Sequence, residues 1–131
     1  MANGHAFLAG KRMLVVDDEF LIALDLQQIL ESAGAIVVSL GDADAALQAL
    51  RDGTQFDGAV LDIKLSGSAG DSTGIATLLT ERGTPFVFLT GMHAGNEHAK
   101  AFPHAPLIEK PYQVEMLMEA LRRALDPTTR R

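Results

Sequence analysis

Five side chains hold most of the chemistry this sequence can offer: Asp17, Asp18, Asp62, Thr90 and Lys110. Each ends or follows a short apolar run. Asp17-Asp18-Glu19 follows Met13 to Val16, and Asp62 closes the run that starts at Gly58. Thr90-Gly91 follows Phe86 to Leu89, and Lys110-Pro111 comes just after Leu107-Ile108. Carboxylates brought close together repel one another unless a cation joins them. Oxygen-only ligands select a hard ion, and two or three carboxylates plus waters suit Mg²⁺. The remaining hydroxyl and ammonium are a donor and a positive charge awaiting an anion. A phosphoryl group carried on a carboxylate supplies one, because aspartate is a covalent nucleophile for phosphoryl transfer. Its oxygens would need neutralising by metal, lysine and hydroxyl together.

Taken singly, each residue has a plainer reading. Asp17 and Asp18 precede a helical segment and could be capping residues. Asp62 could end a strand, Thr90 could be a β-former, and Lys110 could be a solvated side chain. Their joint occurrence at the ends of successive core strands is what needs explaining.

The elements that must position them alternate. The apolar runs are Met13 to Val16, Ala35 to Leu40, Gly58 to Ile63, Phe86 to Leu89, and Leu107 to Ile108. The first four do not alternate with polar residues, which suits strands covered on both faces. Between them lie segments with helical spacing. Glu19 to Ala33 puts Ile22, Leu26, Ile29 and Ala33 on one stripe, with Asp18 as N-cap and Gly34 beyond its end. Asp42 caps a second helix carrying Ala46, Leu47 and Leu50, with Gly53 past its end. Ser72 or Thr73 opens a third, with Ile75, Leu78 and Leu79 inward. Gln113 to Ala124 sets Val114, Leu117, Met118 and Leu121 on one face. His93 to Ala101 is polar and holds Gly95, so the spacing predicts only a short or irregular helix. The β-α alternation predicts a parallel sheet with right-handed crossovers and helices on both faces. Such sheets bind ligands outside the carboxyl ends of their strands, where the five residues gather.

Composition narrows the function classes. The chain has 131 residues, 47% hydrophobic and 21% charged, enough to bury a core. Its net charge of -6 argues against holding a nucleic-acid backbone. It has no cysteine, so disulfides and cysteine-based metal or redox sites are excluded. No apolar run approaches the roughly 20 residues that span a bilayer. MANGHAFLAG has no basic stretch ahead of a long apolar one, so it does not read as a signal peptide.

The pieces Leu14-Val15-Val16-Asp17-Asp18-Glu19, Val60-Leu61-Asp62-Ile63, Phe88-Leu89-Thr90-Gly91 and Glu109-Lys110-Pro111-Tyr112 together resemble the response-regulator receiver family of two-component signalling. The resemblance runs from Arg12 to Leu125. It implies a flavodoxin-like (βα)5 three-layer α/β sandwich, with a five-stranded parallel sheet in the order 2-1-3-4-5. It implies Asp62 as phospho-acceptor and Asp18 as a direct Mg²⁺ ligand. Asp17 is then a second acidic partner of the metal, and the backbone carbonyl of Lys64 a further ligand. It implies Thr90 as the hydroxyl on a phosphoryl oxygen, Lys110 as the ion-pairing partner, and a cis Lys110-Pro111 peptide. Arg82 to Gly91 looks closer to a subgroup whose fourth strand reads Phe-Ala-Thr-Gly and whose fourth helix is commonly reduced. One departure stands out: Leu107 occupies the place where receivers often carry a Tyr or Phe that reports phosphorylation.

The expectations follow. Residues 1–10 form a flexible leader, 11–126 the receiver domain and 127–131 a polar tail. The domain is a cytoplasmic signalling phospho-acceptor and not a turnover enzyme. Its partners are a histidine kinase or histidine phosphotransfer protein and a downstream protein, with no nucleic acid and no membrane, and it is a monomer or weak homodimer. A phosphorylation-independent interaction module of the same shape is the alternative. A haloacid-dehalogenase-like phosphatase would want an aspartate two residues past the nucleophile, where Lys64 stands. His5, His93, His98 and His104 lack metal-ligand spacing and read as solvated loop residues. Gly67, Gly70 and Gly74 lie in a stretch without the lysine of a phosphate-binding loop. Arg122, Arg123, Arg130 and Arg131 read as a solvated end that complements a helix dipole.

Overall fold

The computed structural model describes residues 6–65, 71–91 and 96–126. Five strands and five helices alternate: β1 (Arg12–Val16), α1 (Phe20–Ser32), β2 (Ile36–Leu40), α2 (Ala43–Arg51), β3 (Gly58–Asp62), α3 (Thr73–Glu81), β4 (Phe86–Thr90), α4 (Asn96–Ala101), β5 (Leu107–Glu109) and α5 (Val114–Leu125). All strand pairs are parallel, in the order β2-β1-β3-β4-β5. This is the flavodoxin-like sandwich that the resemblance implies.

The continuous apolar runs split by the two-residue period of a strand. Leu14, Val16, Ala59, Leu61, Phe86 and Phe88 face α2 and α3. Met13, Val15, Val60, Val87, Leu89 and Ile108 face α1 and α5, meeting Leu26, Leu30, Leu117 and Leu121. The central strands β1, β3 and β4 are buried apart from Arg12, as their composition suggests. β2 departs from the reading of strands covered on both faces. It is one of the two sheet edges, Ile36 is exposed, and its other residues are only partly covered.

Helix ends follow local chemistry, with some corrections. Asp42 Oδ1 accepts the Ala45 N–H at 2.7 Å and caps α2. Gly34 and Gly53 take φ of 97° and 91° just past α1 and α2, a backbone shape that costs other residues a Cβ clash. Asp18 is not the cap of α1. Asp17 Oδ1 takes the Glu19 N–H at 2.8 Å instead, and Glu19 holds the N-cap position without a side-chain bond. The buried stripe of α1 is Ala23, Leu26 and Leu30, with Ile22 and Ile29 only flanking the core. Val114, expected inside, is exposed, and α5 buries Leu117, Met118, Leu121 and Ala124. In α1 the inward stripe is turned from the one read on the sequence, because the sheet sets which side is covered; in α5 only Val114, the first residue of the helix, departs from it.

Two flanking segments behave differently from one another. Of the residues read as a leader, Ala6–Leu8 form a 3₁₀ turn with Leu8 fully buried, and the Gly10 N–H donates to the Gly34 carbonyl at 2.9 Å. These residues are tied to the α1 face of the core. α4 is a helix of six residues, as short as its polar, glycine-containing sequence predicts. Among the described residues, no helix is long and apolar enough to cross a membrane.

Leu61 is fully buried directly below Asp62, within the α2–α3 cluster. Leu61→Ala is expected to cost roughly 2–5 kcal/mol through lost burial and a residual cavity. Urea unfolding checks this, and a loss below about 1 kcal/mol would contradict the packing described.

Candidate functional site

Strand register sets the site. Val16 pairs with Leu61, so Asp17 and Asp62 leave neighbouring strands at the same level. Asp62 pairs with Leu89, and Thr90 pairs with Glu109. Thr90 and Lys110 therefore emerge at the same end, and the Lys110 N–H donates to the Thr90 carbonyl at 2.8 Å. Right-handed parallel connections bring every carboxyl end to one edge, so residues far apart in sequence converge there.

Asp17, Asp18 and Asp62 each offer a carboxylate oxygen, and these oxygens lie within 4.8 Å of one another. Asp17 and Asp62 are buried while Asp18 is exposed. Lys110 supplies the charge between them. Its Nζ lies 3.1 Å from Asp62 Oδ2, 3.0 Å from Glu19 Oε1 and 3.5 Å from Asp17 Oδ2. The last contact is an ion pair without hydrogen-bond geometry, so the buried Asp17 Oδ2 accepts no hydrogen bond. A buried carboxylate oxygen without a donor is costly. Asp17 Oδ1 is already engaged by the Glu19 N–H. A buried acid with one oxygen left open, beside two more carboxylates, is the arrangement a divalent cation fits. The donor set is all oxygen, which matches Mg²⁺ rather than Zn²⁺.

The electrostatics show the strain of holding these charges together. Burial pushes the Asp62 carboxyl up to about 6, the Asp17 charge adds to that, and the bond from Lys110 pulls the other way. Burial works against the charged form of Lys110. Its bonds to Glu19 and Asp62, with the charges of Asp62 and Asp17, outweigh that and raise its pKa.

The other expected residues take their places around this centre. Thr90 is buried, and its hydroxyl donates to the Gly91 carbonyl at 3.0 Å. Gly91 is exposed, and a Cβ built on it would meet nothing within 4 Å. Lys64 follows β3 by two residues, with an exposed side chain and an antiparallel bridge to Asp71. The Lys110-Pro111 peptide is cis. Leu107 is partly buried against the α2–α3 cluster. Of the glycines read as a loose loop after the acceptor strand, Gly67 and Gly70 lie outside the described residues, and Gly74 lies in α3.

Three contacts were not read from the sequence. Glu19, taken as a first-turn residue, holds the Lys110 amine. The Tyr112 hydroxyl donates to Asp25 Oδ2 at 2.6 Å. His98 is not a solvated loop residue: it packs edge-on against Phe88, with ring centroids 5.3 Å apart. Its Nε2 lies 3.3 Å from Thr73 Oγ1 and 3.5 Å from Asp71 Oδ2. His104 is exposed, while His5 and His93 lie outside the described residues. Each of these contacts joins separate elements, and no local spacing marks them.

A parallel five-stranded sheet with this acidic cluster at its carboxyl edge defines a class of α/β signalling domain. The chain belongs to the response regulator receiver domain family, whose model matches residues 13–122. Among solved structures, a response regulator receiver protein from Sinorhizobium medicae WSM419 is similar, with a TM-score of 0.82 and 27% identity over 90% of this chain and 96% of that one. SdrG from Sphingomonas melonis Fr1 is 35% identical with a TM-score of 0.72, over 88% and 96%. A CheY-like receiver domain protein from Methanospirillum hungatei JF-1 is 29% identical with a TM-score of 0.78, over 90% and 95%. No curated protein matches the chain.

The raised Asp62 pKa makes a stability prediction for the metal-free protein. The folded state holds a proton that the unfolded chain gives up near 3.8, so stability is lost as pH rises from about 4 through about 6. Asp62→Asn removes that penalty. With solvent screening and the loss of the Lys110 contact discounted, the variant should be about 1–2 kcal/mol more stable at pH 7.5. The gain should vanish below the unfolded carboxyl value. Urea titrations at pH 3.5 and 7.5 with chelator present check it; equal stability at both would refute the electrostatic strain.

Proposed function

We propose that this chain is a phospho-accepting receiver domain of a two-component system. It takes a phosphoryl group onto Asp62 from the phosphohistidine of a histidine kinase or histidine phosphotransfer protein, with Mg²⁺ present. The observation that carries this is the buried Asp62 carboxylate, which shares one pocket with two further acids and the Lys110 ammonium. A structural aspartate would need only one of these companions.

In this reading an Asp62 oxygen attacks phosphorus. The new O–P bond forms as the N–P bond to imidazole breaks, and the departing ring nitrogen takes up a proton. Asp17, Asp18, Asp62 and the backbone carbonyl of Lys64 would hold Mg²⁺. The ion, when bound, supplies positive charge against the phosphoryl oxygens. Lys110 contributes a second positive charge already directed at Asp62. The Thr90 hydroxyl, which now donates to Gly91, is the donor for a phosphoryl oxygen. Lys64 stands where a phosphatase of the dehalogenase type has its second aspartate, so the phosphoryl group is stored rather than turned over.

Phosphorylation adds about -1.5 to -2 charges to a pocket already crowded with acids. The strain then shifts Thr90, Lys110 and the adjoining loops, biasing a two-state surface. A groove of about 1080 Å³ runs from Lys110 and Pro111 along β5 and α5, past Tyr112, Met116 and Ala120. It begins at the site, which supports this face as the one a downstream protein reads. The domain spans residues 11–126 in this reading and acts in the cytoplasm as a monomer or weak homodimer, with neither nucleic acid nor membrane as partner.

The test is labelling by acetyl phosphate. Wild type should be labelled only with Mg²⁺, and Asp62→Asn not at all. Lys110→Ala should slow labelling by about 10–100-fold. A wild type that neither labels nor responds to beryllofluoride with Mg²⁺ would instead favour a phosphorylation-independent module. Gly91, exposed and without a side chain, leaves room for water to approach the buried acceptor. Gly91→Leu should therefore lengthen the phosphoryl half-life by roughly 3–10-fold, and an unchanged half-life would count against an open flank.

A further inference from the structure

Lys110 has three carboxylates within reach, and they are not equivalent. Asp62 and Asp17 are buried, whereas Glu19 is exposed. A lysine on a loop can swing on its four-carbon stem between a buried and a surface partner. In the structure it donates to Asp62 and Glu19 at once, and where its backbone sits decides whether the bond to the buried acid holds. That backbone belongs to the short connection between β5 and α5, where the Lys110 N–H donates to the Thr90 carbonyl and the next side-chain anchor is two residues on. The Tyr112 hydroxyl donates to Asp25 Oδ2 at 2.6 Å, tying the connection to the second turn of α1. The Tyr112 ring is half-buried against the α1–α5 core cluster. A phenylalanine would pack there equally well, so packing does not explain the hydroxyl. Burial raises the Tyr112 pKa, with the Asp25 bond and the Asp25 and Asp17 charges adding to it. The phenol therefore lies within the field of the acidic site. Glu19 leads into α1 and Asp25 lies within it, so the connection is held to one helix at two points.

We propose that Tyr112 and Asp25 are positioning residues for phosphoryl transfer: their hydrogen bond holds the Lys110-Pro111 connection against α1, so that the Lys110 ammonium stays on Asp62. This rests on Asp62 being the acceptor. The bond sits at the surface, where a single polar contact contributes little to stability. Its loss should therefore change chemistry without unfolding the domain. Misplacing a charge-bearing group by about 1 Å is enough to slow a reaction substantially.

The experiment compares wild type with Tyr112→Phe, Asp25→Ala, Asp25→Asn and the Tyr112→Phe/Asp25→Ala double variant. Labelling is followed with Mg²⁺ across a range of acetyl phosphate concentrations. Tyr112→Phe and Asp25→Ala should each lower the maximal rate about 5–10-fold while moving the half-saturating concentration less than about twofold. The double variant should be no slower than the singles, since one bond is lost in each case. Asp25→Asn keeps an acceptor oxygen and should retain at least about half the rate. Melting temperatures should stay within about 3 °C of wild type. Wild-type rates in Tyr112→Phe and Asp25→Ala would overturn the proposal, as would an Asp25→Asn as slow as Asp25→Ala. A wild type that is not labelled refutes the acceptor reading instead. The positioning claim is then decided by the Lys110 ammonium ¹⁵N resonance of the metal-free protein, assigned through Lys110→Arg. It should shift in Tyr112→Phe and Asp25→Ala but not in Asp25→Asn, and an unmoved resonance overturns the claim.

Discussion

Asp17 and Asp62 leave neighbouring strands at the same level and are both buried, so two carboxylates must share a space from which most water is excluded. Their repulsion and desolvation set the terms for everything around them. One ammonium, from Lys110, stands between them and relieves part of the charge. It does not relieve all of it, because Asp62 still holds its proton more tightly than a free aspartate and one Asp17 oxygen still lacks a donor. A protein that only needed stability would replace such a cluster with apolar side chains. In the proposed reading, that residual strain is what would give the site affinity for a cation and sensitivity to an added phosphoryl charge.

The apolar sheet makes that strain tolerable. β1, β3 and β4 are buried through most of their length, and their side chains divide between the two core clusters. The rigid sheet fixes where each strand end lies: Asp62 ends β3, and Asp17 and Asp18 directly follow β1. α1 takes part as well. Its first free N–H engages Asp17 through Glu19, while Glu19 and Asp25 hold Lys110 and Tyr112. The same helix thus orients a candidate metal ligand and the lysine opposite it.

The opposite flank is built differently. Leu107 stands where an aromatic side chain is common in the family, and the space beside β4 is occupied by Phe86, Phe88, Phe102 and His98. His98 reaches from α4 to Asp71 and Thr73, at and just before the start of α3. Among the described residues, the aromatic contact between β4 and α4 is that of Phe88 with His98.

The sequence by itself determined the alternation of strands and helices, the parallel sheet, and the five polar residues that meet at its carboxyl edge. Those properties are local: apolar runs, helical spacing, caps such as Asp42, and acids placed directly after strands. It also foretold the short α4, because a polar stretch with few apolar positions cannot bury a helix face. Only the tertiary structure decided that Asp17 rather than Asp18 engages the start of α1, that β2 is a half-exposed edge, and that Leu8 belongs to the core. It alone paired Glu19 with Lys110, Asp25 with Tyr112, and His98 with Phe88. Partners like these stand tens of residues apart or, for His98 and Phe88, on separate elements. Their meeting depends on strand order, register and helix rotation, which arise from packing the whole chain and leave no mark on any local stretch of it.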